Sequence, residues 1–182
     1  MISVLPISKK ENISKVYVIS ALNQLSSTEF NEDELSYLKE SLKEDFEWKL
    51  INRLKEQTYV VKVNDKSTSQ SQEKIRKAGA NITKSLNEFK QKEVAVYDKT
   101  KGEVFLASIS EGMALANYQF LKYFKNAKKK TNTLESIYTQ SKSISKEQLL
   151  ELNAIVEATF WARDLVNEPV SFLNAEELSN QI

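Results

Sequence analysis

The chain has 182 residues, 26 of them basic and 25 acidic, giving a formal net charge of +1, with 41% hydrophobic side chains and neither cysteine nor histidine. That length suits one ordinary domain, or one domain and part of another, and suffices to bury a core; the charge balance argues against a dedicated binder of nucleic acid or membrane surfaces. Without cysteine there are no disulfides, thiolate metal sites or cysteine nucleophiles, and without histidine the commonest general base and any Ser-His-Asp triad are gone.

The opening residues, MISVLPISKKENISK, carry no charged leader ahead of an apolar stretch of signal-peptide length, and no apolar run is long enough to span a bilayer. The sequence therefore predicts a soluble, cytoplasmic protein. Val16–Leu22, rich in β-branched and aromatic residues, predicts a buried strand. Asn31 and Glu34 have the spacing of a helix cap, ahead of Leu35, Leu38 and Leu42, and the acidic start suits the helix dipole. Residues 45–56, with Phe46, Trp48, Leu50 and Ile51, match neither the strand nor the helix period cleanly.

Tyr59–Val63 predicts the next strand, and the polar stretch Asn64–Gln72 leads into a helix. In that helix Ile75, Ala78, Ile82, Leu86 and Phe89 recur at three- and four-residue spacing, opposite Lys77, Lys84 and Lys90. Val94–Tyr97 predicts a third strand and Val104–Ile109 a fourth, with Gly102 in the turn between them. Ser108 and Glu111 have capping-box spacing for a helix over Ser110–Phe124 that is apolar nearly all round, hence central. The run Lys125–Lys130 ends it, and Ser136–Thr139 predicts an edge strand. Strands alternating with helices imply an α/β fold, a mixed sheet layered between helices.

Ser145 and Gln148 form a capping-box pair at the start of a long helix that Pro169 terminates. Its span of more than twenty residues gives a length of about 35 Å. At roughly 100° per residue, Leu149, Leu152, Val156 and Phe160 share one side, and Ala154, Ala158, Trp161 and Leu165 share another. Asn153, Glu157 and Asp164 form a narrow polar strip between them. A helix apolar on two sides expects two partners, and one small domain covers only one. Asn174 then caps a second helix, with Glu177, Leu178 and Ile182 at helical spacing, that stops after about two turns. The expected organisation is a domain over 1–144, a connecting helix over 145–168, and over 169–182 the beginning of a further domain.

Few residues invite a chemical reading. Gly79, Gly102 and Gly112 are the only glycines, too sparse for a phosphate-cradling loop. Glu32-Asp33-Glu34 and Glu44-Asp45-Glu47 lack calcium-loop spacing and read as solvated helix ends. Lys128–Lys130 lacks interleaved aromatics and reads as a solvated loop. Arg163 and Asp164 are adjacent on a helix and diverge by about 100°, so they make no catalytic pair. They read as helix-end or interdomain hydrogen-bonding groups, and Phe160 and Trp161 as core or interface aromatics. No catalytic, cofactor-binding or metal-ligating residue is predicted in this chain.

Three segments carry a family resemblance. Ala162–Pro169, ARDLVNEP, resembles the Ala-Arg-Asp-Leu-Val-Asn-Thr-Pro-Pro-Asn segment that joins the two domains of the leucyl (cytosol) aminopeptidases. Arg163, Asp164, Leu165, Asn167 and Pro169 match, while Glu168, Val170 and Ser171 depart from Thr, Pro and Asn, and Asn174-Ala175 replaces a Thr-Pro helix start. Glu73–Leu86 is similar to the family's Leu-Arg-x-Ala-Gly helix through Arg76, Ala78 and Gly79. Ser110–Tyr123 is similar to its Glu-Gly-x-x-Leu-x-x-Tyr-x-Phe segment through Glu111, Gly112, Leu115, Tyr118 and Phe120. Asn64-Asp65 stands where the family often has a glycine-bearing turn.

The resemblance implies a macro-domain-like, non-catalytic N-terminal domain of a cytoplasmic exopeptidase that removes N-terminal residues from peptides. It implies two divalent metal ions, zinc or manganese, in a C-terminal catalytic domain that would be this chain's partner, and a hexameric assembly. The family's Asn-Thr-Asp-Ala-Glu-Gly-Arg-Leu metal-binding signature does not occur here. Two other classes remain open: a free-standing module binding a small ligand such as ADP-ribose, and a scaffold or nucleic-acid adaptor using Lys125–Lys130.

Overall fold

The structure is a computed structural model describing residues 2–6, 12–64, 66–140 and 144–181. Asp65 and Ile182, which figured in the sequence reading, lie outside the described residues. Six strands form one mixed sheet: β1 (Ser3–Pro6), β2 (Ser14–Ile19), β3 (Trp48–Arg53), β4 (Glu56–Lys62), β5 (Glu93–Asp98) and β6 (Ser136–Gln140). Their spatial order is β1-β6-β5-β2-β4-β3, with only β3 antiparallel to its neighbour. Helices α1 (Glu32–Ser41), α2 (Ser69–Glu88), α3 (Leu106–Ala116), α4 (Ala127–Lys130), α5 (Lys146–Asn167) and α6 (Ala175–Gln181) complete the chain.

The central strands are near-continuous apolar runs because both faces of the sheet are covered, as parallel sheets require. On one face Val16, Val18, Tyr59, Val61, Val94, Val96 and Ile137 meet α2, α3 and the first half of α5. On the other, Tyr17, Ile19 and Val60 meet Phe30, Leu38 and Leu42 from α1 and its approach. The three-layer α/β architecture expected from the sequence is therefore present.

Four details differ from the sequence reading. Residues 48–62 form a hairpin whose register leaves Leu54 and Lys55 as a two-residue turn. Leu54 takes φ 66° there and is 89% exposed, a position normally signalled by Asn or Gly, so the turn is silent in the sequence. Val104–Ile109 is no strand: Gly102 adopts φ 75° in a turn that leads directly into α3. Consequently α3 begins at Leu106, and Ser108 is buried within it instead of capping it. The helix also stops at Ala116 and not near Phe124: Asn117 caps it and donates from Nδ2 to the carbonyl of buried Leu134 at 2.9 Å. Finally, β6 is internal and β1 is the edge.

Candidate functional site

The three segments singled out in the sequence meet on one side of the sheet. Helices α2 and α3 cross at their glycines. A Cβ on Gly79 would sit 2.6 Å from the Ile109 carbonyl oxygen, and one on Gly112 would sit 2.2 Å from that of Arg76. Glycine is thus required at both positions for backbone-to-backbone contact. Beside the crossing, Arg76 Nε donates to Glu111 Oε2 at 2.6 Å, and Thr83 Oγ1 donates to the Met113 carbonyl at 3.0 Å.

The stretch after α3 receives α5. Ser145 and Gln148 exchange side-chain and backbone hydrogen bonds at its start, as the sequence predicted. Leu149, Leu152 and Val156 are buried and Phe160 is half-buried, so the first apolar side faces this domain. Ala154, Ala158 and Trp161 on the second side are exposed and Leu165 is half-buried. Asn153, from the polar strip, binds the sheet edge: Val4 N–H donates to Oδ1 at 2.9 Å and Nδ2 donates to the Val4 carbonyl at 2.7 Å.

Further along α5, Arg163 and Asp164 diverge as expected, and both find partners at the end of α3 or just beyond it. Arg163 Nη1 donates to the Leu115 carbonyl at 2.9 Å, and its guanidinium lies 5.4 Å from the Tyr118 ring centroid. Tyr118 donates its hydroxyl to Asp164 Oδ1 at 2.8 Å, accepts from Asn167 Nδ2 at 3.1 Å, and meets Phe160 edge-on at 5.2 Å. Burial, reinforced by the hydrogen bond to Asp164, raises the Tyr118 phenol above its ordinary pKa.

At the exit of α5, Lys122 Nζ donates to Glu168 Oε1 at 2.5 Å, Tyr123 donates its hydroxyl to Glu168 Oε2, and Lys122 lies 4.5 Å from the Phe172 ring centroid. Those two donors hold the Glu168 carboxyl below the usual carboxylate range. Between α5 and the 117–135 segment lies a cleft of about 680 Å³, walled by Tyr118, Phe160 and Trp161 and bearing Glu135, Glu157 and Asp164.

Three members of the two acidic groups are in ion pairs: Glu34 with Arg53 at 2.7 Å, Glu47 with Lys49 at 2.5 Å, and Asp45 with Lys62 at 3.8 Å. Lys128–Lys130 forms the last turn of the short α4. At the C-terminal end of β5, where open α/β sheets commonly take ligands, the chain supplies its own anion. Asp98 accepts from Thr100 N at 2.9 Å, Thr100 Oγ1 at 2.6 Å and Phe105 N at 2.8 Å. Burial raises the Asp98 pKa against the pull of these hydrogen bonds. Among the described residues no three Asp, Glu, His or Cys side chains gather in a way that could hold a metal ion. The donor set of those residues does not fit a dinuclear metal centre. Among the same residues no helix is long and apolar enough to cross a membrane.

Residues 65–128 match the family model of the cytosol aminopeptidase family, N-terminal domain. A probable cytosol aminopeptidase of Clostridium tetani is 28% identical over 180 residues, covering 91% of this chain and 37% of that protein. These matches support a likeness to the N-terminal domain of the cytosol aminopeptidase family. A second family member, the probable cytosol aminopeptidase of Corynebacterium glutamicum, is 34% identical over 110 residues, covering 59% of this chain and 21% of its own length. The chain thus spans little more than a third of the length of the first of these curated relatives.

The fold recurs in a tomato leucine aminopeptidase mutant, with a TM-score of 0.72 at 12% identity, covering 100% of this chain and 41% of that one. It recurs also in the bottromycin maturation enzyme BotP in complex with Mn, with a TM-score of 0.64 at 15% identity, covering 93% and 35% respectively. At these identities the likeness is one of fold. The matched stretch contains Arg76, Gly79, Glu111, Gly112 and Tyr118, the residues that build the α2–α3 crossing and the seat of α5.

What the sequence did not disclose is the set of partners these residues choose. Asn153 acts on Val4 at the other end of the chain, Asp98 reaches past its own turn to Phe105, and the cleft arises only where α5 passes over residues 117–135. The one available signal was polarity without a local purpose, as with Asn153 between two apolar faces.

Proposed function

We propose that this chain is the non-catalytic N-terminal part of a metal-dependent leucyl aminopeptidase that removes N-terminal residues from peptides. Residues 1–144 form the domain, 145–168 the connecting helix, and 169–182 the first part of the catalytic region. The parent enzyme acts in the cytoplasm, holds two divalent ions, zinc or manganese, in its C-terminal portion, and assembles as a hexamer. This domain packs the assembly and shapes access to the catalytic chamber, and none of its own residues takes part in catalysis.

The observation that carries this reading is α5. One side is buried on the domain and the other exposes Leu150, Ile155, Trp161 and Val166 at 63%, 46%, 47% and 85%, as expected of a helix placed between two bodies. The manganese in the BotP complex supports a metal-dependent parent. The hydrogen bonds of Asp98 speak against a free-standing ADP-ribose module, since the amides after β5 that would cradle a phosphate are already satisfied. The test is incubation of the pure 182-residue chain with leucine p-nitroanilide and Mn²⁺. No nitroaniline release is expected, and metal-dependent turnover by the chain alone would overturn the reading.

A further inference from the structure

The cleft between α5 and residues 117–135 has a one-sided chemistry. Its walls carry three carboxylates, Glu135, Glu157 and Asp164, and no lysine or arginine. Its aromatic surface comes from Tyr118, Phe160 and Trp161, the last of which is 47% exposed.

The amide side chains along the wall are spent on the protein itself. Gln119 Nε2 donates to the Lys130 carbonyl at 2.9 Å, Asn132 Nδ2 to the Asn117 carbonyl at 3.2 Å, and Asn117 Nδ2 to the Leu134 carbonyl at 2.9 Å. Of the acceptors, Glu135 pairs with Lys92 at 3.4 Å, whereas the two on α5 are available. Glu157 makes no hydrogen bond or ion pair with any described residue, and Asp164 is engaged through only one oxygen. The cleft therefore offers aromatic faces and carboxylate oxygens but few free donors.

That pattern selects an occupant with a cationic, donor-only head and an apolar stem, which among side chains means arginine or lysine. Trp161 lines the cleft and also belongs to the exposed apolar side of α5, so the cleft is continuous with the surface assigned above to the rest of the polypeptide. We infer that the cleft is the socket for an arginine or lysine side chain, flanked by apolar residues, on the protein segment that covers the outer side of α5. This rests on the connector reading of α5. It adds the chemistry of the partner: the covering segment presents a cation at Glu157 and Asp164, with its aliphatic stem against Trp161 and Phe160.

The test uses the 182-residue chain and two peptides, acetyl-Leu-Arg-Leu-amide and its glutamyl counterpart, followed through the indole N–H resonance of Trp161, which Trp161→Phe identifies against that of Trp48. The arginyl peptide is expected to shift this resonance saturably at millimolar concentration, and the glutamyl peptide to leave it in place. Glu157→Gln, at a side chain without partners among the described residues, is expected to weaken binding about fivefold, and Glu157→Gln with Asp164→Asn about tenfold or more. Added salt is expected to weaken binding as well. Equal shifts from the two peptides, an affinity indifferent to Glu157→Gln, or no shift at all would overturn the socket. None of these outcomes touches the absence of peptidase activity, so the two readings fail separately.

Discussion

Asn153 holds the open edge of the sheet by pairing with Val4 as another strand would, accepting from its N–H and donating to its carbonyl. Strand β1 has β6 on one side only, and exposed strand edges invite pairing with other chains. A single amide on α5 blunts that edge and fixes the helix along it. Replacing Asn153 with Ala leaves the N–H and carbonyl of the buried Val4 without these protein partners. The expected cost is about 1–3 kcal/mol in urea unfolding, with faster hydrogen exchange at Val4.

The α2–α3 crossing depends on two absent methyl groups. Gly112→Ala would bring Cβ within 2.2 Å of a main-chain oxygen that no rotamer change can move, and Gly79→Ala within 2.6 Å of another. Both substitutions are expected to destabilise by about 3 kcal/mol or more, with Gly112→Ala the worse. Thermal unfolding of the two variants checks the order.

The two apolar sides of α5 should respond differently to truncation in the isolated chain. Leu149 is 5% exposed, and Leu149→Ala is expected to cost about 2–4 kcal/mol. Leu150, 63% exposed on the next residue, should lose within about 0.5 kcal/mol when changed to Ala. Comparable losses at both positions would mean that the outer side is covered in solution, a result that sedimentation of the chain would explain as self-association.

Two carboxyls set opposing pH dependences. The hydrogen bond from Arg53 holds the folded Glu34 pKa below its unfolded value, so its stabilisation is complete above the ordinary carboxylate pKa and is lost as pH falls through the depressed one. Burial holds the folded Asp98 pKa above its unfolded value, so its contribution is fullest in acid and is lost as pH rises through the raised one. Denaturant midpoints measured from neutral pH to pH 3 should therefore fall less in Glu34→Gln than in the parent chain. In Asp98→Asn they should fall more.

The ion pair at the exit of α5 directs the chain beyond it. Glu168→Ala removes the acceptor for Lys122 and Tyr123 and is expected to leave global unfolding nearly unchanged while increasing protease cleavage and amide exchange across residues 169–181.

Much of this architecture is written locally. The runs at β2, β4 and β5 read as strands because both of their faces are buried, and the Ser145 and Pro169 boundaries of α5 were legible because caps and prolines act on near neighbours. The start of α3 was misread for the opposite reason. Its true N-terminal acceptor is the Asp98 carboxylate, which reaches Phe105 N seven residues on, while Ser108 and Glu111 offer a local cap that goes unused. Glu111 serves Arg76 instead. Strand β1 carries little pattern of its own, and its pairing with Ser136–Thr139 spans most of the chain. The cleft was illegible altogether, since its walls come from segments separated by tens of residues and its character lies in which donors are already taken.

The glycine crossing has a geometric consequence for the far end of the chain. Helix α3 can slide along α2 only by driving main chain into main chain, so the point at which Tyr118 emerges is fixed as if by a pinned joint. Tyr118 in turn sets the bearing of α5, a rod of about 33 Å. Because Tyr118 bonds both Asp164 and Asn167, any shift at that joint passes directly to the last turn of α5. The aim of everything that follows is thus set where two backbones touch.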